Sequence, residues 1–248
     1  MDQVDALKRM IGKARSIVAF TGAGISTESG IPDFRSPGGI WTRYKPIEFA
    51  DFLASEAARR ESWRRKFATD ETMRTATPNA GHRALARLHD LGKLIGVVTQ
   101  NIDGLHEASG IPRDCIAELH GNSTYAACLD CGHRHELDWV REIFAVDETL
   151  PLCLACGGII KTATISFGQA MPQDAMAHAH EMTCAADLFI VLGSSLVVYP
   201  AAGFPVLAKR NGSKVVIVNR DPTDLDALSD LVINAEIGAT MSKAVGVN

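Results

Sequence analysis

The chain has 248 residues, a formal net charge of −4 and 46% hydrophobic residues. That length suits one large domain or a large and a small one, with enough apolar side chains for a substantial core. The mildly acidic balance excludes a global field that gathers nucleic acid, and no run approaches the ~20 apolar residues that cross a bilayer.

The opening stretch, MDQVDALKRMIGKARSIV, reads as an amphipathic helix. It lacks the basic start, long apolar centre and small-residue cleavage site of a secretory signal. A cytoplasmic protein with reduced, unpaired cysteines is therefore expected. The apolar run Ile17–Phe20 then predicts a buried parallel strand. GAGISTESGIPDFR follows, with Gly22 and Gly24 placed as in a dinucleotide-binding turn. Thr27 stands where the third glycine of that fingerprint belongs, and no ribose-binding acid waits at the end of a second strand.

Residues 36–78 hold no good strand. They begin with the turn SPGGIW and continue into helical stretches at Glu48–Leu53 and Glu56–Ala68. Asn79–Leu91 is a helix with Ala84, Leu85, Leu88 and Leu91 on one face. Strands are expected at Leu94–Thr99 and Ile116–Leu119. Residues 123–161 break the rhythm with four cysteines and two polar turns. Beyond them, Pro172–Ala186 and Pro200–Lys209 each open on a proline that suits a first helical turn. Strands at Leu188–Leu192, Val215–Val218 and Leu231–Ile233 complete the pattern. Strand alternating with helix predicts an α/β fold built on a doubly wound parallel sheet. The two irregular segments read as insertions that form a second, smaller domain.

Four of the six cysteines make Cys128-x-x-Cys131 and Cys153-x-x-Cys156, with 21 residues between the pairs. Two such knuckles close four thiolates around one tetrahedral zinc, a structural site with no open position for substrate. A redox motif is the rival reading, and the tandem spacing favours zinc. His133 and His135 are taken as solvated ribbon residues, and Cys115 and Cys184 as buried packing residues. A zinc ribbon also raises a nucleic-acid module as an alternative. Arg134, His135 and Arg141 are outnumbered there by Asp130, Glu136, Asp138, Glu142, Asp147 and Glu148, which makes a poor phosphate footprint.

Polar residues gather after five of the strands, at the edge where open α/β sheets bind ligands. They are Gly22 to Ser26, then Thr99 to Asp103, His120-Gly121, Gly193-Ser194-Ser195 and Asn219-Arg220-Asp221. Each alone is bland, since a βα turn often holds glycine and a helix start often holds serine or asparagine. Together they predict a nucleotide site. The two glycine loops can bring main-chain N–H groups against a pyrophosphate. Asn219 suits a ribose hydroxyl, and Asn101 and Asp103 suit a ribose and a carboxamide. His120 is the best general base, because its ordinary pKa lies near working pH.

GAGIS with IPDFR, TQNID, HG, the two knuckles, FG, GSS and a late VN, in that order, resemble a sirtuin. The resemblance runs from about Val18 to Asn219. It implies an NAD-dependent protein-lysine deacylase of compact, bacterial type. The implied fold is a Rossmann-type NAD-binding domain over 1–35, 79–122 and 162–248. Residues 36–78 become the cofactor-binding loop and helical module, and 123–161 the zinc ribbon. NAD as co-substrate, one structural zinc ion and acyl-lysine protein or peptide partners are implied, with no nucleic acid and no membrane. A monomer is plausible.

The implied site follows the same motifs. Gly22, Ala23, Gly24, Ser26, Asp33, Phe34, Arg35 and Trp41 belong to the phosphate and cofactor loops. Gln100, Asn101, Ile102 and Asp103 line the nicotinamide–ribose pocket, with Asn101 and Asp103 catalytic beside the base His120. Phe34 screens the anomeric carbon. Gly193, Ser194 and Ser195 hold phosphate and ribose, and Asn219, Arg220 and Asp221 the adenosine end. Ile165, Phe167 and Gly168 bind substrate, and Cys128, Cys131, Cys153 and Cys156 hold the metal. In the implied reaction the acyl oxygen displaces nicotinamide and the acyl group ends on ADP-ribose.

Lys161-Thr162 and Gln169 depart from the family's usual residues, which bears on peptide preference. The Tyr and Arg of succinyl-specific members map best onto Trp63 and Lys66, so a neutral acyl group, most simply acetyl, is expected. Mono-ADP-ribosyl transfer and a non-catalytic NAD or zinc interaction module are the alternatives. A nicotinamide dehydrogenase is the weakest reading, because the usual ribose acid is missing.

Overall fold

A computed structural model of the chain describes residues 2–34, 36, 39, 42 and 44–247. Helix α1 spans Gln3–Lys13, and its first turn is capped by the Asp2 carboxylate. Strand β1 is Ile17–Thr21, and a 3₁₀ segment, Ala23–Ser29, follows it directly. Helices α2 (Phe49–Ala54), α3 (Glu56–Thr75) and α4 (Ala80–Asp90) precede β2 (Leu94–Thr99). A short α5 (Leu105–Ala108) leads to β3 (Ile116–Glu118). Then come β4 (Gly121–Cys128), β5 (Arg134–Glu136), α6 (Leu137–Phe144) and β6 (Ile160–Thr164). The chain closes with α7 (Gln173–Ala185), β7 (Leu188–Leu192), α8 (Phe204–Arg210), β8 (Lys214–Val218), β9 (Leu231–Ile233) and α9 (Ile237–Val245).

Six strands form one sheet in the order β3-β2-β1-β7-β8-β9, and every pair in it is parallel. Its two faces are covered, and its central strands are accordingly near-continuous apolar runs rather than alternating ones. In β1, Ile17 and Ala19 enter one core with Leu7 of α1, Leu85 of α4 and Met241 of α9. Val18 and Phe20 enter the other core, with Met182 of α7 and Phe204 of α8. The sheet is thus the expected doubly wound one. The chain leaves β1 towards β2 on one side and returns through β7 on the other. The crevice at that switch point is where such folds take ligands.

The smaller second part is the antiparallel sheet β5-β4-β6 with α6 and the helices α2 and α3. The two irregular segments share a core: Trp63 of α3 packs with Ala126, Val140, Phe144 and Ile160 of the ribbon. Asp70, buried on α3, is gripped by Lys66 at 2.5 Å and by Arg141 of α6, which ties the same two segments.

Several expectations need correction. Leu91 is 48% exposed, because it caps α4 rather than continuing its buried face. α3 runs seven residues past Ala68, to Thr75, held by Asp70 and the charged pairs along it. The stretch after Pro200 begins as a 3₁₀ turn, Ala201–Gly203, before α8. Cys115 and Cys184 are half-buried, not core residues. No helix among the described residues is long and apolar enough to cross a membrane.

Candidate active site

The loop after β1 meets the loop after β7. Gly22 N–H donates to Leu192 O at 3.0 Å and Gly24 N–H to Gly193 O at 2.8 Å. Contact this close demands glycine on both sides. A Cβ on Gly24 would sit 2.7 Å from Gly193 Cα, and Gly193 adopts φ 67°, in the left-handed region. Gly24→Ala should therefore lower stability by about 1–3 kcal/mol, the usual cost of forcing atoms into a packed site. Urea unfolding measures it, and an unchanged midpoint would remove the steric argument.

These loops form one end of a cleft of about 910 Å³. Ala23, Gly24, Asp33 and Phe34 line it from the β1 side, and Gly193, Ser194 and Ser195 from the β7 side. Asn219, Arg220 and Asp221 close the far end beyond β8. Gln100, Asn101, Ile102 and His120 line the middle, and Ile165, Phe167 and Gly168 the opposite wall. The cleft therefore gathers the predicted residues of five strand ends and of the segment after β6. Gly22, Ser26 and Asp103 stand behind its wall instead. Asn101 Nδ2 donates to Gly22 O and to Ser26 Oγ, both at 3.1 Å, and Ser26 Oγ donates to Asp103 at 2.7 Å. Arg35 and Trp41 lie outside the described residues.

His120 is set by its neighbours. Its Nδ1 lies 3.0 Å from Gln100 O. A carbonyl only accepts, so Nδ1 carries the proton and Nε2 is the basic nitrogen. Gln100 is fixed in turn by Ser194 Oγ, which donates to its Oε1 at 2.8 Å. The residue after His120 must be glycine. Gly121 has φ 73°, and a Cβ there would lie 2.1 Å from Ala163 O. That close crossing brings β6 onto His120, whose carbonyl accepts from Ile165 N–H at 2.8 Å.

Lys161 is buried on β6, and its Nζ donates to Thr162 O and Thr164 O. Burial lowers its pKa to about 8. The ammonium thereby braces the carbonyls that precede Ile165. Gln169 folds back on the same segment, its Oε1 accepting from Ser166 N–H at 3.1 Å.

Other residues line the cleft too, and of these only Lys66 carried a sequence signal. Lys66, Thr69 and Met73 of α3 face the cleft, as do Val197 and Tyr199 after β7. Trp63 does not, being 1% exposed inside the small part's own core. Trp63 thus does not face the cleft as expected, while Lys66 does, with Thr69 three residues on. Of the rest, only exposed apolar side chains such as Val197 and Tyr199 leave a trace a reader could use, and only once the fold is known. Ile237, at the start of α9, also lines the far end.

The four knuckle cysteines fit a metal. Their Sγ atoms all lie within 4.8 Å of one another. Cys128 and Cys156 are 3.4 Å apart, and Cys131 and Cys153 3.6 Å. Four thiolates at about 2.3 Å from a tetrahedral zinc stand about 3.8 Å from each other. Backbone N–H groups of Cys131 and Asp130 hold the Cys128 thiol down to about 7, against the opposing push of burial. His135 is not solvated as expected. It is 4% exposed, stacked on Trp139, with Nε2 3.4 Å from Cys153 Sγ. β5 turns alternate residues inward, and His135 lies between the exposed Arg134 and Glu136.

Fold and site together define an α/β protein with a dinucleotide-type crevice and a thiolate metal site on a separate small sheet. The Sir2 family model matches residues 22–200, and the chain belongs to that family. An NAD-dependent protein deacetylase of Rhodopseudomonas palustris is 58% identical over 98% of this chain and 96% of its own length. An NAD-dependent protein deacetylase 1 of Bradyrhizobium diazoefficiens is 57% identical over 98% and 95%. Among solved structures, Sir2 with a p53 peptide and NAD+ is 35% identical, with a TM-score of 0.85 over 99% of this chain and 98% of that one. Sir2Tm bound to a propionylated peptide is also 35% identical, with a TM-score of 0.86 over all of both chains.

Proposed function

We propose that the protein is an NAD-dependent protein-lysine deacetylase. Acetyl-lysine protein, NAD and one water give lysine, nicotinamide and O-acetyl-ADP-ribose. The observation that carries this reading is the contact of His120 with Ile165, which sets a general base beside the strand that takes the peptide. NAD supplies the anomeric carbon at which the acyl oxygen displaces nicotinamide. His120 Nε2 takes a ribose hydroxyl proton. Asn101 orients the ribose, while Ser26 and Asp103 hold Asn101. The glycine loops seat the pyrophosphate, and Asn219 to Asp221 hold the adenosine end. Phe34 excludes water from the reacting carbon. Ile165 to Gly168 bind the peptide by strand addition. Zinc at the four cysteines is structural.

The reading assigns 1–35, 79–122 and 162–248 to the NAD-binding domain, 36–78 to the cofactor loop and helical module, and 123–161 to the ribbon. It places the enzyme in the cytoplasm. Acetyl-peptide with NAD, followed by mass spectrometry, tests it. Deacetylated peptide with O-acetyl-ADP-ribose supports it. A peptide that gains an ADP-ribose mass supports mono-ADP-ribosyl transfer instead.

Lys66 is committed to Asp70 at 2.5 Å, and Thr69 carries no charge. The enzyme should thus prefer a neutral acyl group. Acetyl should leave a given peptide about tenfold faster than succinyl, because an uncompensated carboxylate in the cleft costs more than a kcal/mol. Faster succinyl removal would overturn the assignment of Lys66.

A further inference from the structure

Behind Asn101, on the far side of the cleft wall, a line of buried polar groups runs from α4 to β2. It starts at Asn79, whose backbone N–H donates to His82 Nδ1 at 3.4 Å and whose side chain accepts from Gly81 and His82 N–H. The Asn79 amide also donates to Ile25 O at 2.7 Å, on the glycine-loop segment. At the other end, Asn101 N–H donates to Thr99 Oγ1 at 3.0 Å. Thr99 and Thr21 hydroxyls are 2.8 Å apart, and Thr21 Oγ1 is 2.8 Å from His106 Nε2. The His82 and His106 rings pack side by side, with centroids 5.0 Å apart and no hydrogen bond between them. His82 Nε2 and His106 Nδ1 are two of four buried side-chain atoms left without a hydrogen-bond partner among the described residues.

The chemistry of these groups sets one direction. His82 Nδ1 accepts from a backbone N–H, so the neutral ring bears its proton on Nε2. Thr21 Oγ1 donates its one proton to Thr99 Oγ1, so towards His106 it only accepts, and the neutral His106 ring carries its proton on Nε2. That N–H donates to Thr21, whose hydroxyl then donates to Thr99.

We propose that His106, Thr21 and Thr99, with the His82 ring packed beside them, form a neutral hydrogen-bonded relay that positions the Asn101 backbone for NAD. His106 is a positioning residue, since it lies behind the cleft and acts only through Thr21 and Thr99. Burial keeps both rings uncharged, lowering His82 to about 4 and His106 well below its ordinary range. The relay complements the Gly22 and Ser26 contacts, which hold the Asn101 side chain. The inference rests on the cleft being the NAD site.

The test compares the parent with Thr21→Val, Thr99→Val, the double variant and His106→Gln. Steady-state kinetics are read against NAD and against acetyl-peptide separately. Each single valine variant should lose roughly tenfold in kcat/KM for NAD, the scale of one buried hydrogen bond, with the peptide KM within about twofold. The double variant should be no worse than the worse single, because the line is already cut. His106→Gln keeps a donor for Thr21 and should retain most activity. Parent-like NAD kinetics in the valine variants, or losses that multiply in the double, would overturn the relay. A parent that turns over no NAD with acetyl-peptide would instead refute the deacetylase reading. ADP-ribose affinity by calorimetry then decides the relay alone, with equal affinity in parent and variants counting against it.

Discussion

His120→Ala should lose peptide deacetylation by about 10²- to 10⁴-fold, the range a positioned general base supplies. Zinc content and ADP-ribose affinity should stay close to those of the parent. The expectation follows from how the ring is held. Gln100 O accepts from Nδ1 at 3.0 Å and so leaves the basic lone pair on Nε2. The hold on Ile165 comes from the His120 backbone, which alanine retains. The substitution therefore removes the base without moving the peptide strand, and the peptide KM should change little while kcat falls. In the proposed reaction this base acts on a ribose hydroxyl after nicotinamide is displaced, so nicotinamide exchange into NAD should survive better than deacetylation. Near-normal deacetylation in the variant would remove His120 from this role.

Much of this arrangement is legible in the amino-acid sequence. Ile17–Phe20, Leu188–Leu192 and Val215–Val218 are continuous apolar runs because both faces of their sheet are covered, so periodicity and burial say the same thing. The Cys-x-x-Cys pairs were readable because metal chemistry fixes ligand type and spacing together. What failed did so where the sequence carries two competing patterns. α3 reads EAARRESWRRKFATDETMRT, with few apolar residues to set its phase. Its face towards the cleft could not be chosen, and Trp63 was placed there instead of Thr69. The pairing of buried Asp70 with Arg141 leaves no local trace, since it joins residues 71 positions apart. His135 looked solvated beside charged neighbours, although the alternation of β5 turns it inward. The polar line through Thr21, Thr99 and His106 consists of ordinary strand and helix residues. Only the parallel pairing of β1 with β2, which sets Thr21 opposite Thr99, joins them.

Stripping the zinc should abolish deacetylation while much of the parallel sheet persists. Cys128 and Cys153 are not appended to the ribbon; they are buried members of the core that also holds Trp63, Val140 and Phe144. Structural zinc in small peptides contributes about 10–16 kcal/mol, which equals or exceeds the whole stability of a typical domain. Without it, β4, β5 and β6 lack a reason to stay closed at the knuckles. β6 leads directly into Ile165 to Gly168, so the cleft wall proposed to take the peptide goes with the ribbon. The six-stranded sheet has two cores of its own and should keep its fold. Treatment with a strong chelator, or Cys153→Ala, should accordingly remove nearly all turnover and the metal together, with only partial loss of far-ultraviolet circular dichroism. Cys115→Ser and Cys184→Ser serve as controls that keep both metal and activity, because neither thiol belongs to the cluster. Zinc leaving stoichiometrically while turnover persists would show that the ribbon closes without metal. In that case the shared apolar core, rather than the four thiolates, would be what holds the peptide wall against the sheet.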